Sequence, residues 1–197
     1  MKLAATTWQT VGPFCRIGLE RFYLNDLTVP SVPGEHIEIH GRILDGDAQG
    51  VRDAVIEIWQ ADACGEFFNE QAVAGNPEIQ PHGGKIEKMF RGYGRIATSE
   101  DGAFHFKTIK PGAVPAPDGT MQAPHIAVSI FMRGLLRRLT TRIYFPETAA
   151  NAKDFALKLV AADRRHTLIA RRSATNTNLL EWNIILQGPD ETVFFDC

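Results

Sequence analysis

The chain has 197 residues, 44% of them hydrophobic and 22% charged, with a formal net charge of −2. That composition fits one globular domain with a sizeable core; it excludes a disordered chain, and no apolar run approaches the ~20 residues that a transmembrane helix needs. The balance of charge argues against nucleic acid as a partner, and Arg137, Arg138 and Arg142, or Arg164, Arg165, Arg171 and Arg172, read as solvated faces.

At the amino terminus "MKLAATTWQTVGPF" has one Lys and no long apolar stretch, so it is no secretory signal, and the expectation is a cytoplasmic protein. Cys15, Cys64 and Cys197 are odd in number and widely spaced, as reduced thiols are. The first strand is "EHIEIHGRIL" (35–44), with Ile37, Ile39, Gly41 and Ile43 on one face and Glu38, His40 and Arg42 on the other. "DGDAQG" (45–50) is a turn, and "DAVIEIWQ" (53–60) is expected to return as the second strand of a hairpin. "GRIATSEDGAFHFKTI" (94–109) repeats the pattern, with Asp101-Gly102 as a two-residue hairpin signal. Further strands are expected at 124–132, 139–145, 181–187 and 191–195, and short helices at 151–159 and at 162–171, the latter capped by Asp163. The long connections at 61–89 and 110–123 exceed the usual loop length, as functional loops often do. The result is a mainly β, mixed β-sandwich with a few short helices, a single domain over 1–197 with 1–34 as an amino-terminal arm and loop.

Six histidines raise the question of a metal site. His36, Glu38 and His40 share a strand face, but at ~3.3 Å per residue the outer two imidazoles start ~13 Å apart and point in parallel, so they are taken as solvent-facing. His105 lies outward between Phe104 and Phe106, His166 sits among basic residues, and His82 falls in a loop. On strand 124–133, Ile126, Val128, Ile130 and Met132 face the core. His125, Ala127, Ser129, Phe131 and Arg133 share the other face, which either lines a cleft for a small anion or carries a structural histidine and a surface arginine. G-x-S-x-G, P-loop and G-x-G-x-x-G motifs are absent.

The ordered series "WQTVGPF", "VRDAVIEIWQADACG", "FRGYGRIATSEDGAFHFKTIKPGAVP", "APHIAVSIFMRGLLRRLTTRIYF" and "DRRHTLIARR" resembles the intradiol aromatic-ring dioxygenases nearly end to end, and among them the α chains of members built from α and β chains of like fold. In the iron-bearing chains of that family Fe(III) is held by two tyrosines and two histidines. One tyrosine belongs to a P-G-x-Y-P turn, which here reads Pro111-Gly112-Ala113-Val114-Pro115, and the histidines to an H-x-H strand, here His125-Ile126-Ala127. The other tyrosine would follow "EIWQ", yet 61–92 holds none, and an assisting arginine before the histidines is replaced by Gln122. One imidazole cannot hold ferric iron, which favours phenolate and paired imidazole donors.

The resemblance therefore implies no metal ligand and no catalytic residue in this chain. It implies an iron-bearing β subunit as partner, a higher-order αβ oligomer, and a small-molecule catechol, protocatechuate, opened by O2 to 3-carboxy-cis,cis-muconate. It places Thr10, Gly12 and Pro13 of the arm, together with Arg133, against the substrate: Gly12 and Pro13 as a narrow rigid edge, Arg133 as a countercharge for the carboxylate. Two alternatives stand beside it. One is a non-catalytic β-sandwich binding or interaction protein using the face from His125 to Arg133; the other is a stand-alone enzyme drawing ligands from His82, His105 and the acidic residues.

Overall fold

The computed structural model describes residues 6–68, 89–116 and 118–196. Strand β1 (His36–Leu44) pairs antiparallel with β4 (Ala103–Ile109) on one side. On its other side two short parallel strands follow one another, β10 (Leu179–Glu181) and β11 (Ile184–Ile185), with β9 (Arg171–Arg172) antiparallel beyond β10. The second sheet is wholly antiparallel, in the order β3 (Tyr93–Ala97), β2 (Val55–Trp59), β7 (His125–Phe131), β8 (Leu139–Tyr144). A small hairpin, β5 (Val114–Pro115) with β6 (Met121–Gln122), stands apart.

Alternation puts Ile37, Ile39, Ile43, Phe104 and Phe106 on the inner face of the first sheet. Ile56, Ile58, Ile96, Ile126, Val128, Ile130 and Ile143 answer them from the second, and the two sets form one core. Gln60 ties the layers with polar bonds, its Nε2 donating to the Ile109 carbonyl (2.8 Å) and its Oε1 accepting from Thr108 (2.8 Å). Gly41 marks the break between β10 and β11: a Cβ there would lie 1.8 Å from the carbonyl oxygen of Trp182, so only glycine lets the parallel partner approach.

Both expected hairpins are instead corners between sheets. The 45–50 turn folds the chain back for two residues, with Val51 N donating to the Ile43 carbonyl (2.9 Å), and the chain then leaves for the second sheet as β2. Asp101-Gly102 does form a tight turn, with Gly102 at φ +76°, but β3 before it belongs to one sheet and β4 after it to the other. Strand 181–187 is broken at Trp182-Asn183, and 191–195 makes only a bridge of Phe195 to Thr140.

The helical expectations are corrected too. Residues 151–159 divide into a 3-10 turn (Ala149–Lys153) and a short helix, α2 (Phe155–Leu159), whose N-cap is Asp154. Only Arg165–Leu168 of 162–171 is helical, as a 3-10 turn without a side-chain cap from Asp163, because Leu168 and Ala170 are drawn into buried clusters and Arg171 into β9. The arm holds an unexpected helical turn, α1 (Phe14–Ile17). Beyond it the chain runs along two exposed edges: Leu24 exchanges backbone hydrogen bonds with Arg95 of β3, and Leu27 N donates to Lys107 of β4 (2.9 Å). Among the described residues no helix is long and apolar enough to cross a membrane.

Candidate functional site

At the far end of β7 the chain turns at Arg133-Gly134, and the amino-terminal arm crosses this turn. Gly134 N donates to Thr10 Oγ1 (2.8 Å), and the Arg137 guanidinium stands 4.3 Å from the Trp8 ring centre. Behind the arm, Arg95 donates to the Cys15 carbonyl (3.1 Å) and to Glu57 (2.5 Å). These bonds seat Val11, Gly12 and Pro13 beside Arg133 around a hollow of about 230 Å³ that Arg52 and Asp53 also line. Thr10, Gly12, Pro13 and Arg133, which lie about 120 positions apart in sequence, thus meet in one corner.

The chemistry of the corner follows from its side chains. Arg133 is 61% exposed and donates from Nε to Asp53, which leaves its two terminal nitrogens without a hydrogen bond among the described residues. A guanidinium so oriented can meet a planar anion. Gly12 is exposed, and a Cβ built on it meets nothing within 4 Å, so among the described residues no contact demands a glycine there. Asp53 was missed in the sequence because its partner lies 80 residues away.

The second locus lies at the opposite end of β7. Here Val114 pairs with Gln122, Ala127 with Arg142 and His125 with Tyr144. Val114 is buried, at 4% exposure, and neither it nor Ala127 offers a lone pair to a metal. His125 donates from Nδ1 to the Ala123 carbonyl (2.8 Å), and burial first, then the nearby Arg142 charge, hold its pKa below the usual histidine value. The residues present do not fit ferric iron, and among the described residues no group of three or more His, Cys, Asp or Glu side chains could hold a metal ion.

His125 and Arg133 share a face but do not share a cleft, being eight residues or roughly 26 Å apart along an extended strand. His36 and His40 of β1 and His105 of β4 face solvent, with His40 bonded to Glu38 (2.8 Å) and His105 to Asn25 (3.3 Å); His166 is exposed, and His82 lies outside the described residues. A larger hollow of about 780 Å³, lined by His40, Arg42, His105 and Glu181, holds none of the corner residues. Arg142, expected on a solvated face, is half-buried and hydrogen-bonded. Cys15 and Cys64 are free thiols, and Cys197 lies outside the described residues.

The family model Dioxygenase_C, described as Dioxygenase, matches residues 24–188. The chain is 39% identical to the protocatechuate 3,4-dioxygenase alpha chain of Pseudomonas putida, over 98% of this chain and 97% of that one. It is 32% identical to the protocatechuate 3,4-dioxygenase beta chain of Burkholderia cepacia, over 81% of this chain and 67% of that one. Among solved structures, the intradiol ring-cleavage dioxygenase of Tetranychus urticae matches with a TM-score of 0.61 at 16% identity, over 83% of this chain and 86% of that one, a likeness of fold.

Proposed function

We propose that this chain, which belongs to the intradiol ring-cleaving dioxygenase family, acts as the α subunit of a protocatechuate 3,4-dioxygenase. In this reading a β subunit of the same fold holds Fe(III) and the catecholate, and iron supplies the chemistry that lets O2 open the ring between its two hydroxyl-bearing carbons to give 3-carboxy-cis,cis-muconate. This chain completes the pocket. Gly12 and Pro13 form an edge without bulk, the Thr10 hydroxyl keeps its proton free to donate while accepting from Gly134, and Arg133 turns its terminal nitrogens toward the substrate carboxylate. The α and β chains assemble into a higher-order oligomer in the cytoplasm, where the free thiols Cys15 and Cys64 stay reduced.

The observation that carries this reading is the corner itself. An arm and a strand end distant in sequence are tied together, yet the glycine and the terminal nitrogens of the arginine serve no contact among the described residues. Co-expression with a β chain tests it: the two should co-elute, with iron and ring cleavage of protocatechuate found in the pair. A chain that neither co-elutes with β nor changes its activity would overturn the assignment and favour a separate binding protein.

A further inference from the structure

Between the β5–β6 hairpin and the start of β7, where the resemblance places the counterparts of the iron ligands, this chain carries a positive side chain of its own. Arg142 stands directly opposite Ala127, and its Nη1 donates to Gln122 Oε1 (2.9 Å) and to the Tyr144 hydroxyl (3.3 Å). Because Gln122 is the register partner of Val114, the guanidinium spans the volume between positions 127 and 114. The Phe195 ring lies 5.9 Å from its carbon.

The charge is matched from the far side. Tyr144 donates to Asp154 Oδ1 (3.0 Å), and Asp154, fully buried, takes its other hydrogen bonds from Leu157 N (2.9 Å) and Ala123 N (2.8 Å). All three donors are neutral, so the nearest compensation along this chain of bonds is Arg142, one hydroxyl away. Three hydrogen bonds satisfy the Asp154 carboxyl group, and the nearby positive charge of Arg142 adds to them.

We infer that Arg142 is a resident cation occupying the metal-centre counterpart, and that it excludes a metal ion independently of the missing ligands. Two physical effects act together. A guanidinium within a few ångströms of a ferric ion repels it in a partly buried setting where water screens poorly. A phenolate placed at position 114 would also sit beside Gln122 and pair with Arg142, which removes it as a ligand. Replacing ligands alone should therefore not restore the centre.

The inference rests on family membership and not on the αβ assignment; its readout is iron, so its failure would leave that assignment standing. The full-length chain is compared as Val114→Tyr/Ala127→His, which with His125 supplies three of the four ligands the resemblance names, and as the same pair with Arg142→Met, each first checked for strand content and cooperative unfolding. Ferric iron is then added, and bound metal and the visible tyrosinate-to-iron band are measured. The double variant should hold less than about a tenth of an iron per chain, and the triple variant should bind at least ~10-fold more, with the band. Should Arg142→Met not fold, Arg142→Gln keeps a polar partner for Gln122 without the charge, while Arg142→Lys keeps the charge and should stay empty. Full iron loading with Arg142 in place, or no gain on its removal, would overturn the inference.

Discussion

Asp53 accepts a hydrogen bond from Nε of Arg133, and that bond decides how the arginine can be used. Asp53 lies before β2 and Arg133 beyond the end of β7, and β2 and β7 are neighbours in the second sheet. A long side chain in an exposed turn would otherwise sample many rotamers; held at Nε, it presents its terminal nitrogens in a narrow range of directions. In the αβ enzyme Arg133→Ala should weaken protocatechuate binding by roughly 1.5–3 kcal/mol, about 10- to 150-fold in KM, while catechol, which lacks the carboxylate, changes little. Asp53→Ala should raise KM for protocatechuate less, by freeing Arg133 without removing it. Steady-state kinetics on both substrates, with iron content checked, decide the matter; equal losses on the two would leave Arg133 without this role.

Gly12→Ala separates folding from function. Open space around a Cβ at this position predicts a change in stability within about 0.5 kcal/mol, measured by thermal unfolding of the chain. The same substitution should raise KM for protocatechuate severalfold in the αβ enzyme, since the methyl group enters space that this chain leaves clear. A variant with unchanged kinetics would remove Gly12 from the pocket edge.

Asp154 organises the smaller buried cluster. Asp154→Ala leaves Leu157 N, Ala123 N and the Tyr144 hydroxyl without their acceptor and removes the cap of α2, for a loss of roughly 3 kcal/mol or more. Asp154→Asn should recover part of it. Denaturant unfolding with an unchanged m-value is the measurement, and a loss below about 1 kcal/mol would mean that water replaces the carboxylate.

His125 links stability to pH. Its folded pKa lies below the ordinary histidine value of 6.5 because burial and Arg142 disfavour the imidazolium, so on acidification the unfolded chain takes up the proton first. Its neutral form contributes stability in full above about pH 6.5, and that contribution falls away as pH drops through the folded-state value. His125→Gln should flatten this part of the stability profile below pH ~6.5. Parallel slopes for the two proteins in urea unfolding from neutral pH downward would contradict it.

Strand positions and inward faces were legible in the sequence because they depend on period-2 alternation, a local property: Ile37, Ile39 and Ile43, and Ile126, Val128 and Ile130, all face the core as their spacing requires. The absence of ligands at Val114 and Ala127 was equally plain. What a turn connects was not. Asp101-Gly102 specifies a reversal of direction, but whether the flanking strands pair or diverge depends on which partners outcompete each other, and β2 and β1 won β3 and β4 for different sheets. Charge pattern alone put Arg142 on a solvated face and gave no sign that Gln122, 20 residues earlier, would hold it inward, nor that Asp53 would reach Arg133 across 80 residues. The sequence by itself determined the β periodicity, the broken metal motif and the family; only the tertiary structure decided the sheet partners and the company of each charge, because those are set by long-range contacts whose energies no local pattern contains.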